Sequence, residues 1–217
     1  MNRLQAFKQF SDEQIVKEVL QGHKALFELI IRRYNSYLFK VGRSYGFNHA
    51  DTEDLMQEAY VAAYGHLANF ENRASFKTWL VKIMLHECYH KKAKFSYQKE
   101  SPDPFLSEST ITPMFTARSS SSDQVLVLHE LKHVIENALL SIPEDFRLVF
   151  TLRELSGLNT QETADALGIT PGNVKTRLNR AKGLLRSAVH KMYTPEDIFE
   201  FNLIYCDSMV EKVMQRL

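Results

Sequence analysis

At 217 residues, with 44% hydrophobic and 11% aromatic side chains, the chain carries enough apolar material for one large core or two small ones, which excludes wholesale disorder. Its 27 basic and 26 acidic residues leave a net charge of only +1, so affinity for a charged partner must come from local segregation of charge. Two distant cysteines, Cys88 and Cys206, exclude a disulfide framework, and the lack of a signal-like start or a bilayer-length apolar run points to a cytoplasmic protein without membrane insertion.

In chain order the signals are helical almost throughout. Ser11 with Gln14 predicts a capping box ahead of Ile15, Val19 and Leu20. The stretch KALFELIIRRYNSYLFKVGRSYGF continues at helical spacing. After Gly46, Asp51 predicts the start of a helix whose buried stripe is Leu55, Ala59, Ala62 and Ala63. A third helix starts at Ser75 and buries Trp79, Leu80, Ile83 and Met84, with Trp79 read as core rather than as a stacking platform. The proline- and serine-rich residues 96–123 show no apolar period and are expected to be a flexible linker. Periodicity returns from residue 124. A tail begins with Thr194 as N-cap and Pro195 at the first helical position, and carries an apolar stripe through Ile198, Phe201, Val210, Val213, Met214 and Leu217. The expected fold is all-α: two small helical domains, 1–95 and 124–190, joined by the linker 96–123, with a C-terminal helical extension over 191–217.

The most informative segment is TQETADALGITPGNVKTRLNRAKGLL. A short helix from Thr160 turns Ala164 and Leu167 inward, Gly168 permits a tight turn, and Ile169 packs between two helices. Thr170 and Pro171 start a second helix that faces inward through Val174 and Leu178. This is a helix-turn-helix pattern. The second helix is basic, with no acid between Gly172 and Lys191. Lys175, Thr176, Asn179 and Arg180 would point into a major groove, while Arg177, Lys182 and Arg186 suit phosphates.

In the amino-terminal half, DTEDLMQE carries four carboxylates (Asp51, Glu53, Asp54, Glu58) and no base. From Arg73 to Lys99 there are seven bases, with Glu87 as the acid among them. Acidic and basic helices side by side suggest two partners on one domain, a basic protein surface and a nucleic acid.

The residues DTEDLMQEAYVAAYGHLANFENRASFKTWLVKIMLHECYHKKAK resemble region 2 of the bacterial extracytoplasmic function (ECF) sigma factors. LLSIPEDFRLVFTLRELSGLNTQETADALGITPGNVKTRLNRAKGLLRSA resembles their region 4. The resemblance covers a little under half the chain, in the family's order, and without the longer intermediate domain of housekeeping sigma factors. It implies a subunit that binds core RNA polymerase and directs promoter-specific transcription initiation, with no catalytic centre and no cofactor of its own. Asp54, Gln57 and Glu58 would then grip the clamp helices of the polymerase's largest subunit. The loop Asn69–Ser75 and the following helix would hold the promoter element near −10 as separated strand, one base flipped, through Phe70, Asn72, Arg73, Ser75, Lys77 and Lys82. Region 4 would read the element near −35 as duplex. An anti-sigma protein is a further candidate partner, with the tail as one candidate surface. The alternative is a free-standing helix-turn-helix regulator acting as a dimer, which has no use for the acidic helix or the NFENRASF loop.

HECYH at residues 86–90 matches the zinc-protease pentamer His-Glu-x-x-His. No HExxHxxGxxH extension follows, and Lys91, Lys92 and Lys94 would oppose a dication, so no metal site is expected. Family members commonly carry asparagines where this chain has His86 and His90. Both are therefore candidate DNA contacts, and imidazoles would make that contact pH-sensitive.

Overall fold

The structure, a computed structural model, describes residues 9–100, 123–192 and 214, with the backbone alone at 95–100, 123–131 and 192. Eight α-helices and no strand occur among the described residues: α1 Asp12–Leu20, α2 Phe27–Ser44, α3 His49–Gly65, α4 Phe76–Glu100, α5 Asp123–Leu140, α6 Glu144–Phe150, α7 Thr160–Leu167 and α8 Pro171–Met192.

The amino-terminal domain packs α2, α3 and α4 on one another, with α1 against α2. α1 begins as its sequence predicts, with the Ser11 and Gln14 side chains each bonded to the other's backbone N–H. Asp12 then accepts hydrogen bonds from both Arg33 and Tyr34, tying α1 to α2. α3 starts earlier than expected. Asn48 is its N-cap, accepting from the Asp51 N–H at 2.8 Å, which puts Asp51 in the first turn and frees its carboxylate to pair with Lys91 at 2.7 Å. The buried interior runs through Ile15, Ile30, Leu38, Val41, Ala59, Ala63, Phe76, Leu80, Met84 and Cys88. At the crossing of α2 with α3 and α4, Gly42 is required. A Cβ there would lie 2.6 Å from Thr52 Cγ2 and 2.9 Å from Met84 Cε.

The carboxy-terminal domain is smaller. Its own buried cluster is Val149, Ala164 and Val174, with Leu167, Ile169 and Leu178 partly covered around it. A turn of π-helix at Thr151–Leu155 follows α6, closed by a 2.8 Å bond from the Ser156 N–H to Thr151 O. The periodicity of LVFTLREL gives no sign of it, because one inserted residue leaves the apolar spacing nearly intact.

The two domains lie against each other. Leu148, Leu152 and Leu158 from the second domain are buried in the same cluster as the interior of the first. α7 packs on α4, and α6 with the π-turn packs on α2. Buried Arg147 donates to Ser44 O at the end of α2, and to Leu140 O at 2.8 Å and Ile142 O at 2.9 Å. α4 continues five residues past Phe95, into the span read as linker, and α5 begins at Asp123. The rest of that span and the tail, with Thr194, Pro195 and Cys206, fall outside the described residues. Of the tail only Met214 is described, and it is exposed.

Candidate nucleic-acid and polymerase interfaces

The helix-turn-helix is built by local chemistry. α7 carries a capping box: the Glu162 N–H donates to Asn159 Oδ1 at 2.9 Å and the Asn159 N–H to Glu162 Oε2 at 2.8 Å. Gly168 ends α7 in the left-handed conformation at φ 63°, where a side chain would be strained. Thr170 Oγ1 accepts from the Asn173 N–H at 3.2 Å to open α8. With Val174 fully buried and Leu178 half-buried, the helix turns Lys175, Thr176, Asn179 and Arg180 into solvent together. Thr176 donates its hydroxyl proton to Gly172 O at 3.1 Å, leaving oxygen lone pairs outward. Two of the expected phosphate cations are held by acids of their own domain, Arg177 by Asp145 at 3.2 Å and Lys182 by Glu154 at 2.9 Å. Arg186 is exposed.

On α3, Asp54, Gln57 and Glu58 are exposed on one face. Val61, three and four residues further on, extends that face with an apolar side chain 70% exposed. Sequence periodicity passed over it, because a valine in a helix is first read as core.

The strand-binding candidates divide into open and covered. Phe70 is half-buried in a cluster with Phe76 and Trp79, ring centroids 5.1–5.3 Å apart, and Trp79 packs against the core but is only partly buried, at its rim rather than inside it. Asn72 is the non-glycine residue with positive φ (56°) among the described residues, a conformation that asparagine tolerates better than most. Arg73 is exposed and pairs with Glu71 at 2.5 Å. Lys82, His86 and His90 follow one another at four-residue spacing, all exposed on one stripe of α4.

Ser75 and Lys77 are engaged by the other domain. Ser75 Oγ and Thr78 Oγ1 each donate to Glu162 Oε1 at 3.1 Å, and Lys77 donates to Ser156 O. Lys77 Nζ also lies 4.4 Å from the Tyr37 ring centroid, and burial lowers its pKa despite Glu162 nearby. Burial pushes the Glu162 carboxyl upward. The hydrogen bonds from the Asn159 N–H and the Ser75 and Thr78 hydroxyls, with the Lys77 charge, more than offset this and hold it below the usual carboxylate range. Glu162, Thr78 and Lys40, which donates to Leu155 O at 2.9 Å, carried no signal in the sequence, since each looks like an ordinary helix residue.

The HECYH pentamer splits across α4. Cys88 faces the core, fully buried, and burial pushes its thiol up to about 12 with the help of the Glu87 charge. The histidines face outward with Nε2 atoms 2.9 Å apart, a bond that one shared proton satisfies. Glu87 Oε1 lies 3.6 Å from His86 Nδ1. Among the described residues, no three His, Cys, Asp or Glu side chains gather as a metal would need.

Residues 30–96 match the family description Sigma-70 region 2, and residues 132–185 match Sigma-70, region 4, together more than half of the chain. The ECF RNA polymerase sigma-E factor of Escherichia coli strain K12 is 27% identical over 187 residues, covering 85% of this chain and 97% of that protein. The factor of the same name in Haemophilus influenzae is 24% identical over 187 residues, with 85% and 98% covered. Among solved structures, the sigma factor RpoE in complex with the anti-sigma factor NepR from Bartonella quintana is similar at TM-score 0.61 and 24% identity, over 75% of this chain and 96% of that one. CnrH in complex with the cytosolic domain of CnrY is similar at TM-score 0.58 and 21% identity, over 82% and 96%. Two sigma-70 regions in the family's order, on the helical fold of its solved members, lead to one statement: the chain belongs to the sigma-70 family, in its ECF group.

Proposed function

We infer that this protein is a sigma factor that binds core RNA polymerase and directs promoter-specific initiation. The observation that carries this is the presence on one chain of both sigma-70 regions, with a helix-turn-helix whose outward face is Lys175, Thr176, Asn179 and Arg180. In this reading residues 1–95 form region 2, 96–123 the linker, 124–190 region 4 and 191–217 an extension. Region 4 anchors duplex near −35, its lysines and arginines meeting phosphates and the forked Arg180 side chain meeting a base edge. Region 2 captures separated strand through Phe70, Asn72, Arg73, Ser75, Lys77, Lys82, His86 and His90, while Asp54, Gln57 and Glu58 meet the polymerase.

The open promoter is stabilised because strand capture is available only after melting, so binding is stronger to the open state than to the closed duplex. Such work needs no catalytic centre in the chain, and it belongs in the cytoplasm with the polymerase. No described helix is long and apolar enough to cross a membrane. The similar solved sigma factor RpoE is in complex with the anti-sigma factor NepR, which supports an anti-sigma protein as a partner here. A free-standing regulator would not need the exposed acidic face of α3.

The test is transcription by core polymerase on a promoter library with the purified protein added. Specific start sites that appear only with the protein are expected. If none arise while the protein binds duplex DNA as a dimer, the regulator reading takes over.

A further inference from the structure

We propose that His86 and His90 form a bidentate chelate for a divalent transition-metal ion that prefers right-angled coordination, nickel(II) or copper(II). The site needs only two side chains of α4 and stands apart from the sigma-factor reading.

Its basis is the placing of two nitrogen atoms. The rings are one helical turn apart on the exposed side of α4, with Nε2 atoms 2.9 Å apart. The ring centroids are 4.1 Å apart and the planes inclined at 64°, so the rings lean together by their Nε2 edges rather than stack by their faces. At a metal–nitrogen distance of about 2.0–2.1 Å, two ligands at a right angle stand about 2.8–3.0 Å apart, and two at a tetrahedral angle about 3.3–3.4 Å. The separation of the two imidazoles is therefore that of neighbouring corners of a square or an octahedron. Imidazoles in that geometry suit nickel(II) and copper(II), whereas zinc(II) in proteins takes the tetrahedral angle.

The pair is also held ready. Met84, Leu85 and Cys88 are buried against region 2 and fix the roll of α4, so a packed helix carries both histidines outward. Glu87 Oε1 lies 3.6 Å from His86 Nδ1. That is too long for a hydrogen bond, yet a carboxylate so near favours the proton on Nδ1 and leaves the lone pair on Nε2, as a metal requires. In the metal-free pair His90 donates its Nε2 proton to His86. On binding, His90 takes its other neutral tautomer, with the proton on Nδ1, and both Nε2 lone pairs meet the ion with no net loss of protons.

The reasons that exclude a zinc protease do not exclude this chelate. A resident ion needs three or more protein ligands, and no such group gathers among the described residues. Two imidazoles leave the remaining positions to water and hold an exchangeable ion. Of the lysines that follow the pentamer, Lys91 is paired with Asp51 at 2.7 Å and Lys92 with Glu144, which compensates their charge. Lys82 and Lys94 are exposed, where water and salt screen them.

The experiment titrates the full chain with copper(II) chloride and, separately, with nickel(II) chloride, in a non-chelating buffer near neutral pH, followed by calorimetry. A Cys206→Ser background removes a thiol that would compete for copper. Paramagnetic resonance of the copper-loaded protein counts the bound nitrogens. The variants are His86→Asn, His90→Asn and, as control, His133→Asn, which breaks the other histidine pair of the sequence at the same spacing, His129 with His133.

The background protein should bind one ion as its tightest equivalent, with an axial copper spectrum split by two imidazole nitrogens. His86→Asn and His90→Asn should each weaken that equivalent by about tenfold or more for both metals and remove one nitrogen from the spectrum. Their melting midpoints should not move, because both positions are exposed. His133→Asn should leave the tightest equivalent and its spectrum as they were. The proposal is overturned if the His86 and His90 variants bind as the background does, if His133→Asn loses as much as they do, or if the spectrum shows an adventitious ion only, held by a single nitrogen.

Discussion

Region 2 and region 4 bury their apolar side chains in different ways. Region 2 closes an interior of its own from four helices, through Ile15, Ile30, Leu38, Leu80 and Met84. Region 4 gathers Val149, Ala164 and Val174 into a small cluster of its own, buries Ala138, Ile142 and Ala181 beside it, and sends Leu148, Leu152 and Leu158 into its neighbour. Region 2 is thus a self-sufficient scaffold. Region 4 is a small reading head supported by that scaffold until something else takes its place.

The largest effect that tests this difference is Leu80→Ala. A fully buried leucine at the centre of region 2 should cost about 2–5 kcal/mol, read as a fall in the denaturation midpoint of the whole chain. Gly42→Val should cost roughly 1–3 kcal/mol, because its side chain must displace Thr52 and Met84 where three helices meet. Leu152→Ala should instead loosen region 4 from region 2, splitting one denaturation transition into two. If Leu152→Ala lowered a single shared transition as far as Leu80→Ala does, the two regions would form one cooperative core and the contrast would vanish.

The division extends to partners. Arg180→Ala should weaken promoter recognition by about 1–3 kcal/mol and leave core-polymerase affinity nearly unchanged, while Glu58→Ala should do the reverse. Paired filter-binding and polymerase pull-down measurements would read both. Equal losses of polymerase affinity in the two variants would mean that the regions do not divide the work.

How much of this could be read from sequence depends on the range of the interaction. The helix-turn-helix was legible because its signals are local: Gly168 for the turn, Thr170 and Pro171 for the start of α8, Val174 and Leu178 for its inner face. Asn48 was missed as the cap of α3 because Asn48 and Asp51 are both good caps. Only their three-residue spacing shows that Asn48 is the cap and Asp51 the residue whose N–H it takes. The contact of Glu162 with Ser75 and Thr78 was not legible at all. It joins residues more than eighty positions apart, and a capping-box glutamate already has a sufficient local reason to be where it is. Hydroxyl and carbonyl partners at such distances leave no periodic trace.

The carboxyl of Glu162 also gives the comparison a pH dependence. Its pKa lies below the ordinary glutamate range, so its contribution is complete above that range, about 4.3, and fades as the pH falls through the lower folded value. Urea denaturation of wild type and Glu162→Gln should therefore differ most near neutral pH and converge toward pH 4 and below. A gap that widened on acidification would mean that Glu162 is held as its neutral acid, contrary to the donors around it.

The smallest effect concerns Cys88, which lies in α4 between the exposed histidines yet is fully buried in region 2. Burial keeps its thiol neutral, pushed up to about 12, so at neutral pH almost none of it is the reactive thiolate. In a Cys206→Ser variant, a thiol reagent should label Cys88 only as fast as region 2 itself opens. Leu80→Ala should speed that labelling markedly, while Leu152→Ala, which loosens region 4 alone, should leave it almost unchanged. Rapid labelling in the unmodified core would mean that α4 is not fixed by region 2, and that the scaffold leans on its reading head rather than the reverse.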